Sequence, residues 1–459
     1  MSAIDWPTLP LAEVATINPG PSRQTSPDSQ VTFIPMSAVG EETGTIDTTQ
    51  HRPYGAVRRG FRPVMDGDVL FAKITPSMEN GKAAVAQGLN EGLGVASTEF
   101  HVLRPLDGLD AEFLRYWLSQ RSFRSEARRH MSGTAGQLRV PASYLRQIRI
   151  PVPSVAAQKQ TVALIEQQLT RLESGRVLLQ NLLVGLERIR QSVFQAAVRG
   201  MLAENEAVLA RRESRTYESA NDFLLRVGLT RPLGFKRTSV EQTARPEGAH
   251  ALLPEGWALA SMLDLGHLGR GKSRHRPRND PRILGGPYPF IQTGDVRRSG
   301  GMITEYSATY NDAGLAQSYL WPSGTLCITI AANIADTGIL AFPACFPDSV
   351  VGFVHDGHPA TTRYVEYCLR AMKQRLWALA PATAQKNINL DTLRDIRLPM
   401  PPLAEQIRIV DQVERLTSLA DSVRSVTEVA LLRSDHLRSG ILRAGLSGRL
   451  LDEDMNIVR

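Results

Sequence analysis

Two stretches of the chain repeat an apolar residue at every seventh position and contain no proline. Between Val155 and Val198, Ile165, Leu172, Leu179, Leu186 and Val193 form one unbroken heptad class. Leu169 and Leu183 add to a second class, which Arg176 and Arg190 interrupt. Between Leu403 and Leu446 an unbroken class is Ile409, Leu416, Val423, Ala430 and Leu437, with Val413, Ala420 and Ile441 in the neighbouring one. Sustained seven-residue spacing predicts two long helices wound as a coiled coil. Each lone apolar stripe needs cover, and the other helix supplies it. Two ordinary helices packed in separate domains are the weaker alternative. At about 1.5 Å per residue, helices of about 42 residues would each span roughly 60 Å.

Punctuation supports these bounds. Pro151 and Pro153 hold the approach to the first helix extended, and Ser154 can cap it. Pro402 suits the first turn of the second. Gly200 and Gly448 stand where helix stops belong.

Outside the two helices the pattern shortens. Val31–Ile34, Asp68–Ala72, Glu99–Leu103, Pro289–Gln292 and Thr325–Ile330 read as strands separated by turns. Gly67 and Gly324 each precede a central strand, and helices are expected around Ala111–Gln120 and Thr361–Ala378. Residues 203–250 hold one amphipathic piece, Ser219–Val227, and otherwise read as a linker.

The chain also repeats itself. Tyr144-Leu-Arg-Gln-Ile-Arg-Ile-Pro-Val-Pro153 returns 248 positions later as Thr392-Leu-Arg-Asp-Ile-Arg-Leu-Pro-Met-Pro401. Without a gap, the same offset carries Gln158 onto Gln406, Gly200 onto Gly448 and Leu202 onto Leu450. The order is therefore globular, helical, linker, globular, helical, with an α+β class for each globular part.

Composition narrows the function. A net charge of +7 over 459 residues favours polyanionic partners, although arginine in place of lysine also reflects a GC-rich genome. Lysine occurs only at 73, 82, 159, 236, 272, 373 and 386. Cys327, Cys345 and Cys368 form no CxxC pair, so neither a zinc site nor a disulfide scaffold is expected. The sequence begins without a signal-peptide pattern and has no apolar run of membrane length, which points to a cytoplasmic protein with no membrane partner.

Signatures of chemistry are missing. There is no phosphate-binding Walker motif, no dinucleotide-type glycine loop after a strand and no nucleophile elbow. The Asn/Asp-Pro-Pro-aromatic motif of base aminomethyltransferases is absent. No acidic residue lies two positions before any lysine, so the standard (D/E)xK nuclease site cannot form. His355 and His358 flank Asp356-Gly357 but lack a third ligand at suitable spacing, so no metal is expected.

Residues suited to DNA are present in both globular parts, since arginine, lysine, hydroxyl and amide groups contact phosphates and base edges. In the first these are Arg58 and Arg59, on one connection with Arg52 and Arg62, then Lys73, Thr75, Ser77, Asn80 and Lys82 after a strand, and Gln137 and Arg139 in a later loop. In the second they are Arg270, Lys272, Arg274, Arg276 and Arg278, then Arg297 and Arg298, and Gln385, Lys386 and Asn387 in the place matching the Thr134 loop. Like charges as dense as those at 270–278 repel one another without a polyanion nearby.

The Pro-x-Pro-(Pro/Ser)-(Leu/Val)-Ala-x-Gln lead into a long helix, used twice, resembles the specificity subunit of type I restriction-modification systems. It reads Pro151-Val-Pro-Ser-Val-Ala-Ala-Gln158 and Pro399-Met-Pro-Pro-Leu-Ala-Glu-Gln406. Pro254-Glu-Gly-Trp257 and Ala384-Gln-Lys-Asn-Ile388 resemble the family too, and Ala157 departs from its usual glutamate. The resemblance implies two tandem, pseudo-symmetric α/β target-recognition domains at 1–152 and 251–400. Spacer helices at 153–202 and 401–459 would pair as an antiparallel coiled coil, with a linker at 203–250. It implies double-stranded DNA read as a bipartite, interrupted target, two methyltransferase subunits as partners, and a restriction-translocase subunit for cleavage. It also implies no cofactor in this chain, with S-adenosylmethionine held by the partners. The competing readings are a DNA methyltransferase with a fused recognition domain, and a coiled-coil scaffold with protein-binding heads.

Overall fold

Proline and serine deliver the chain into its first long helix as expected. Ser154 Oγ accepts from the Ala157 N–H, and the helix runs from Val155 to Val198. The second runs from Leu403 to Leu446. The computed structural model describes residues 6–21, 24–134, 136–229, 253–275, 280–331, 334–355, 357–379 and 388–451. Both helices end in one way. Gly200 and Gly448 take φ of +70° and +73°. The Met201 and Arg449 N–H groups then reach back to Ala196 and Ala444, which satisfies carbonyls the helix leaves open.

The chain divides into two units. One comprises Met1–Asn181 with Thr427–Arg459, the other Leu182–Val426. In the first unit, strands β1 (Thr8–Pro10), β2 (Ala15–Ile17), β3 (Gln30–Ile34), β4 (His51–Pro53), β5 (Phe61–Met65), β6 (Val69–Ala72), β7 (Ala83–Val85), β8 (Leu93–Ser97), β9 (Phe100–Pro105) and β10 (Arg149–Pro151) build two four-stranded sheets and one clip. The sheets have orders β2-β9-β6-β7 and β4-β3-β8-β5. β6 is buried at every position, and helix Ala111–Ser119 covers its sheet through Phe113, Leu114 and Leu118. The clip is β1 against β10, with Leu9 opposite Ile150, and it closes the domain where the long helix departs.

The second unit repeats that plan with β11 (Ala258–Ser261), β12 (His267–Arg270), β13 (Leu284–Phe290), β14 (Met302–Ile303), β15 (Ala308–Tyr310), β16 (Leu326–Thr329), β17 (Thr337–Leu340), β18 (Val350–Val354) and β19 (Arg397–Met400). β11 and β19 form the clip, and the main sheet has order β12-β18-β16-β17-β14. The first four strands stand in the same order as β2-β9-β6-β7. A two-stranded β13-β15 ribbon takes the place of the other unit's second sheet.

Each unit holds its own stretch of paired helix. In the first, Ile165 is fully buried with Leu442 and Leu446 in the domain core. Gly445 makes that approach possible, because a Cβ there would meet Ile165 Cγ1 at 2.5 Å. In the second, Val193, Phe194, Ile409 and Val413 join the core. Toward the middle the seam turns polar. Arg176 donates to Ser434 Oγ at 2.8 Å and pairs with Asp435. Arg190 pairs with Asp421 at 3.2 Å, and Arg424 with Glu187 at 3.3 Å. These pairs run antiparallel, as expected. Leu186 is buried, and Leu172, Leu179, Leu416, Val423 and Ala430 are half-buried. Leu437 differs, since it is 57% exposed while Leu442 lies in the core. A straight helix drifts about 20° per heptad from a strict seven-residue stripe, so the fifth member of this class has rotated off the seam.

Within the stretch read as a linker, the structure describes residues 203–229, which are folded, while 230–250 lie outside the described residues. Helices Glu206–Arg212 and Ala220–Leu229 pack on the second unit and bury Ala207, Ala210, Ala220 and Phe223.

Candidate nucleic-acid interface

The glutamine of the repeated motif fixes each domain to its long helix. Gln158 Nε2 donates to the Pro153 and Gly108 carbonyls, while its Oε1 accepts from the Asp110 N–H at 2.7 Å. Asp110 in turn caps helix Ala111–Ser119. Gln406 does the same work, donating to the Pro401 carbonyl at 2.9 Å and accepting from Thr361 Oγ1 at 2.8 Å. Thr361 lies in the first turn of helix Pro359–Ala371, which His358 caps through the Ala360 N–H. His355 bonds through Nδ1 to the Leu265 carbonyl. Both histidines of that loop thus serve the fold.

Two of the loops named from the sequence come together in the first unit. Thr75 N–H donates to the Leu138 carbonyl, Val140 N–H donates to the Lys73 carbonyl, and Ile74 bridges to Arg139. Lys73, Thr75, Gln137 and Arg139 therefore share one surface at the end of β6. Arg139 forks onto Glu99, with Nε and Nη2 at 2.9 and 2.8 Å from its oxygens. That pairing holds the Glu99 carboxyl below its usual range, and burial lowers the Lys73 ammonium. Ser77, Asn80 and Lys82 lie one turn on. Asn80 donates to Glu41 at 3.0 Å, and Lys82 to the Met36 carbonyl at 3.2 Å. Arg58 and Arg59 are exposed on the turn before β5. Arg62, on β5 itself, is half-buried, and its Nε meets no partner in the structure.

Sequence reasoning missed two groups here. Glu99 orients Arg139. His101, buried beneath the loop, bonds to the Val140 carbonyl at 2.8 Å, and burial lowers its pKa to about 4. Both stand on a segment whose apolar residues mark it only as a strand, so no sequence signal set them apart.

In the second unit Arg270 ends β12 and donates to the Asp348 carbonyl. Lys272 and Arg274 are exposed on the extended segment that follows, which Gln317 and Ser318 hold by bonds to its backbone. Asp280 receives a fork from Arg282 and a 2.7 Å contact from His275, and its carboxyl sits well below the usual range. Arg297 and Arg298 are exposed on helix Thr293–Arg298, where Arg298 pairs with buried Asp295. Arg276, Arg278, Gln385, Lys386 and Asn387 lie outside the described residues.

The two domains are built to one plan, and each places cations on loops around a sheet of the same strand order. The chain belongs to the family of type I restriction modification DNA specificity domains, whose model matches residues 3–178 and 254–426. It is a DNA-specificity subunit and not itself catalytic. The Type I restriction enzyme EcoEI specificity subunit of Escherichia coli is 24% identical over 505 aligned positions, covering 96% of this chain and 82% of that one. The EcoAI specificity subunit of Escherichia coli is 32% identical over 191, covering 39% and 32%. A solved chain from work on complex assembly and conformational transition of the type I R-M system matches with TM-score 0.68 and 18% identity, over 97% of this chain and 99% of that one. The HsdS subunit from Thermoanaerobacter tengcongensis matches with TM-score 0.60 and 18% identity, over 96% and 97%. At such identity these two structures speak for the fold.

Proposed function

We propose that residues 1–152 and 251–400 each read one part of an interrupted, two-part DNA target in the cytoplasm. The long helices then space the two readers and seat two methyltransferase subunits, with restriction-translocase subunits joining that assembly. The observation that carries this reading is the plan used twice, with Lys73–Lys82 and Arg270–Arg274 leaving central sheets of the same strand order. Arginine, lysine, hydroxyl and amide groups on such loops suit phosphate and base-edge contact. Two like partners are supported by the exposed apolar residues of the long helices. Leu178, Val184 and Ile189 are each more than half exposed, and so are Val426, Leu432 and Leu437, their counterparts 248 positions on. Apolar groups left in water at repeated positions mark seats for repeated partners.

The test measures DNA affinity of the full chain against salt concentration. Arg58→Ala with Arg59→Ala, and Lys272→Ala with Arg274→Ala, should each flatten the salt slope by roughly one unit for every phosphate no longer neutralised. Unchanged slopes in both pairs would remove these loops from the interface.

A further inference from the structure

The second long helix reaches the candidate reading loop of the first unit through one carboxylate. Glu42 sits between two arginines. Arg438, on the long helix, approaches Glu42 Oε2 with Nε at 3.4 Å and donates from Nη2 to the Glu42 carbonyl. Arg124 donates from Nη2 to Glu42 Oε1 at 2.5 Å and from Nη1 to the Glu79 carbonyl at 2.5 Å. The Glu42 N–H donates to the Gly81 carbonyl, and its neighbour Glu41 accepts from Asn80. The loop from Glu79 to Gly81 is thus held by side chain and backbone together. Two further observations bear on this contact. Its φ of 56° lies in the left-handed region that ordinarily favours glycine, yet the position carries a charged side chain. Gly81 has φ +74°, and a Cβ there would meet Arg124 and Glu42 at 2.8 and 3.0 Å, so the two segments are in close contact.

The repeat shows that this contact is a departure. Arg190, 248 positions before Arg438, pairs with Asp421 on the facing helix. The same offset would pair Arg438 with Glu173, but Glu173 faces Arg176 and Arg438 turns to Glu42. We infer that Glu42 is a positioning residue that ties the Lys73–Lys82 loop to the second long helix through Arg438 and Arg124, and so sets how accurately the first half of the DNA target is read. This rests on the proposed reading role of that loop.

The test uses the full chain with its methyltransferase subunits, selecting bound duplexes from a randomised pool and sequencing them. Glu42→Gln and Arg438→Gln should each cut discrimination at the first half-site by about tenfold, and the double variant should do little more than Glu42→Gln alone, since Arg438 acts on the loop through Glu42. Discrimination at the second half-site and the salt slope should not change, because the same phosphates stay neutralised. If both half-sites loosen together with a drop in melting temperature, Glu42 only supports the fold and the inference fails. Asn80→Ala with Lys82→Ala separates the remaining outcomes. If that pair loosens the first half-site and the Glu42 and Arg438 variants do not, positioning is wrong and the loop still reads DNA. If neither does, the loop is not a reader and both proposals for it fall.

Discussion

In the second half of the chain Glu405 is fully buried and accepts from Trp257 Nε1 at 3.0 Å, the Glu206 N–H at 2.9 Å and Asn205 Nδ2 at 3.3 Å. In the first half the same place in the repeat is Ala157, and no segment equivalent to residues 205–229 is seen over it among the described residues. The tryptophans explain the exchange. Trp257 is covered by that segment, so its indole N–H needs a protein acceptor. Trp6 is half-buried, packs its ring 5.9 Å from Phe113, and can bond to water. A second exchange follows the same rule. Ile165 meets Gly445 in the first unit, while Val413 and Ala197 stand at those places in the second, so a larger side chain faces a smaller one. A repeated frame therefore keeps its backbone and trades side chains in matched sets.

The strongest way to break this comparison is to make the first half pair with itself. Residues 1–210 alone should dimerise, because the stripe through Ile165 and Val193 leaves about 1.5–3 kcal/mol per large side chain exposed in a monomer. Its methylated target should become an interrupted palindrome of the first half-site. The second copy would bring Ala197 against Ile165, where the full chain has Gly445. Ile165→Val, which copies Val413, should therefore tighten the dimer. Light scattering that finds a monomer would undo the helix-pairing account, and methylation at the original asymmetric site would undo the division between halves.

A smaller effect is expected from Glu405→Ala. It leaves the Trp257 and Glu206 N–H groups buried without an acceptor, which should cost roughly 2–5 kcal/mol. Differential scanning calorimetry and limited proteolysis should show residues 199–229 loosening, with the first unit unaffected. Equal destabilisation of both units would mean that the segment is not a local seal.

The smallest is a pH effect confined to the first unit. His101 is held neutral, with its pKa lowered from 6.5 to about 4. The unfolded chain then binds more protons than the folded one between those values, so stability is complete above pH 6.5 and falls as pH drops toward 4. The loss is at most about 3 kcal/mol. His101→Gln should flatten this part of the stability curve, and an unchanged slope would place the acid sensitivity elsewhere.

Much of the frame was legible in the sequence because it rests on local rules. Ser154, the proline pairs, Gly200 and Gly448 act on their own neighbours and do in the structure what their types predict, and so do the heptads apart from Leu437. What stayed hidden depends on distant partners. The cover formed by Ala207, Ala210 and Phe223 uses small or scattered apolar residues whose burial makes sense only against the second unit. Its traces were the amphipathic piece Ser219–Val227 and the Ala157–Glu405 mismatch. Glu99, His101 and Glu42 were silent because a lone carboxylate or imidazole has no periodicity. Leu437 failed in the other direction, since a seven-residue rule was carried one turn too far.

The discontinuous make-up of the first unit has a consequence for synthesis. Ile165 is sealed by Gly445 and Leu446, so this core closes only after the chain through residue 446 has been made. At roughly 5–20 residues per second on the ribosome, the wait is on the order of tens of seconds. During it the first helix carries an uncovered apolar stripe. A second nascent chain on the same message offers Phe194 and Val198 at the positions that Leu442 and Leu446 will later fill. Tandem translation thus sets closure within one chain against exchange between neighbours, and the outcome turns on how fast the helix Leu403–Leu446 emerges.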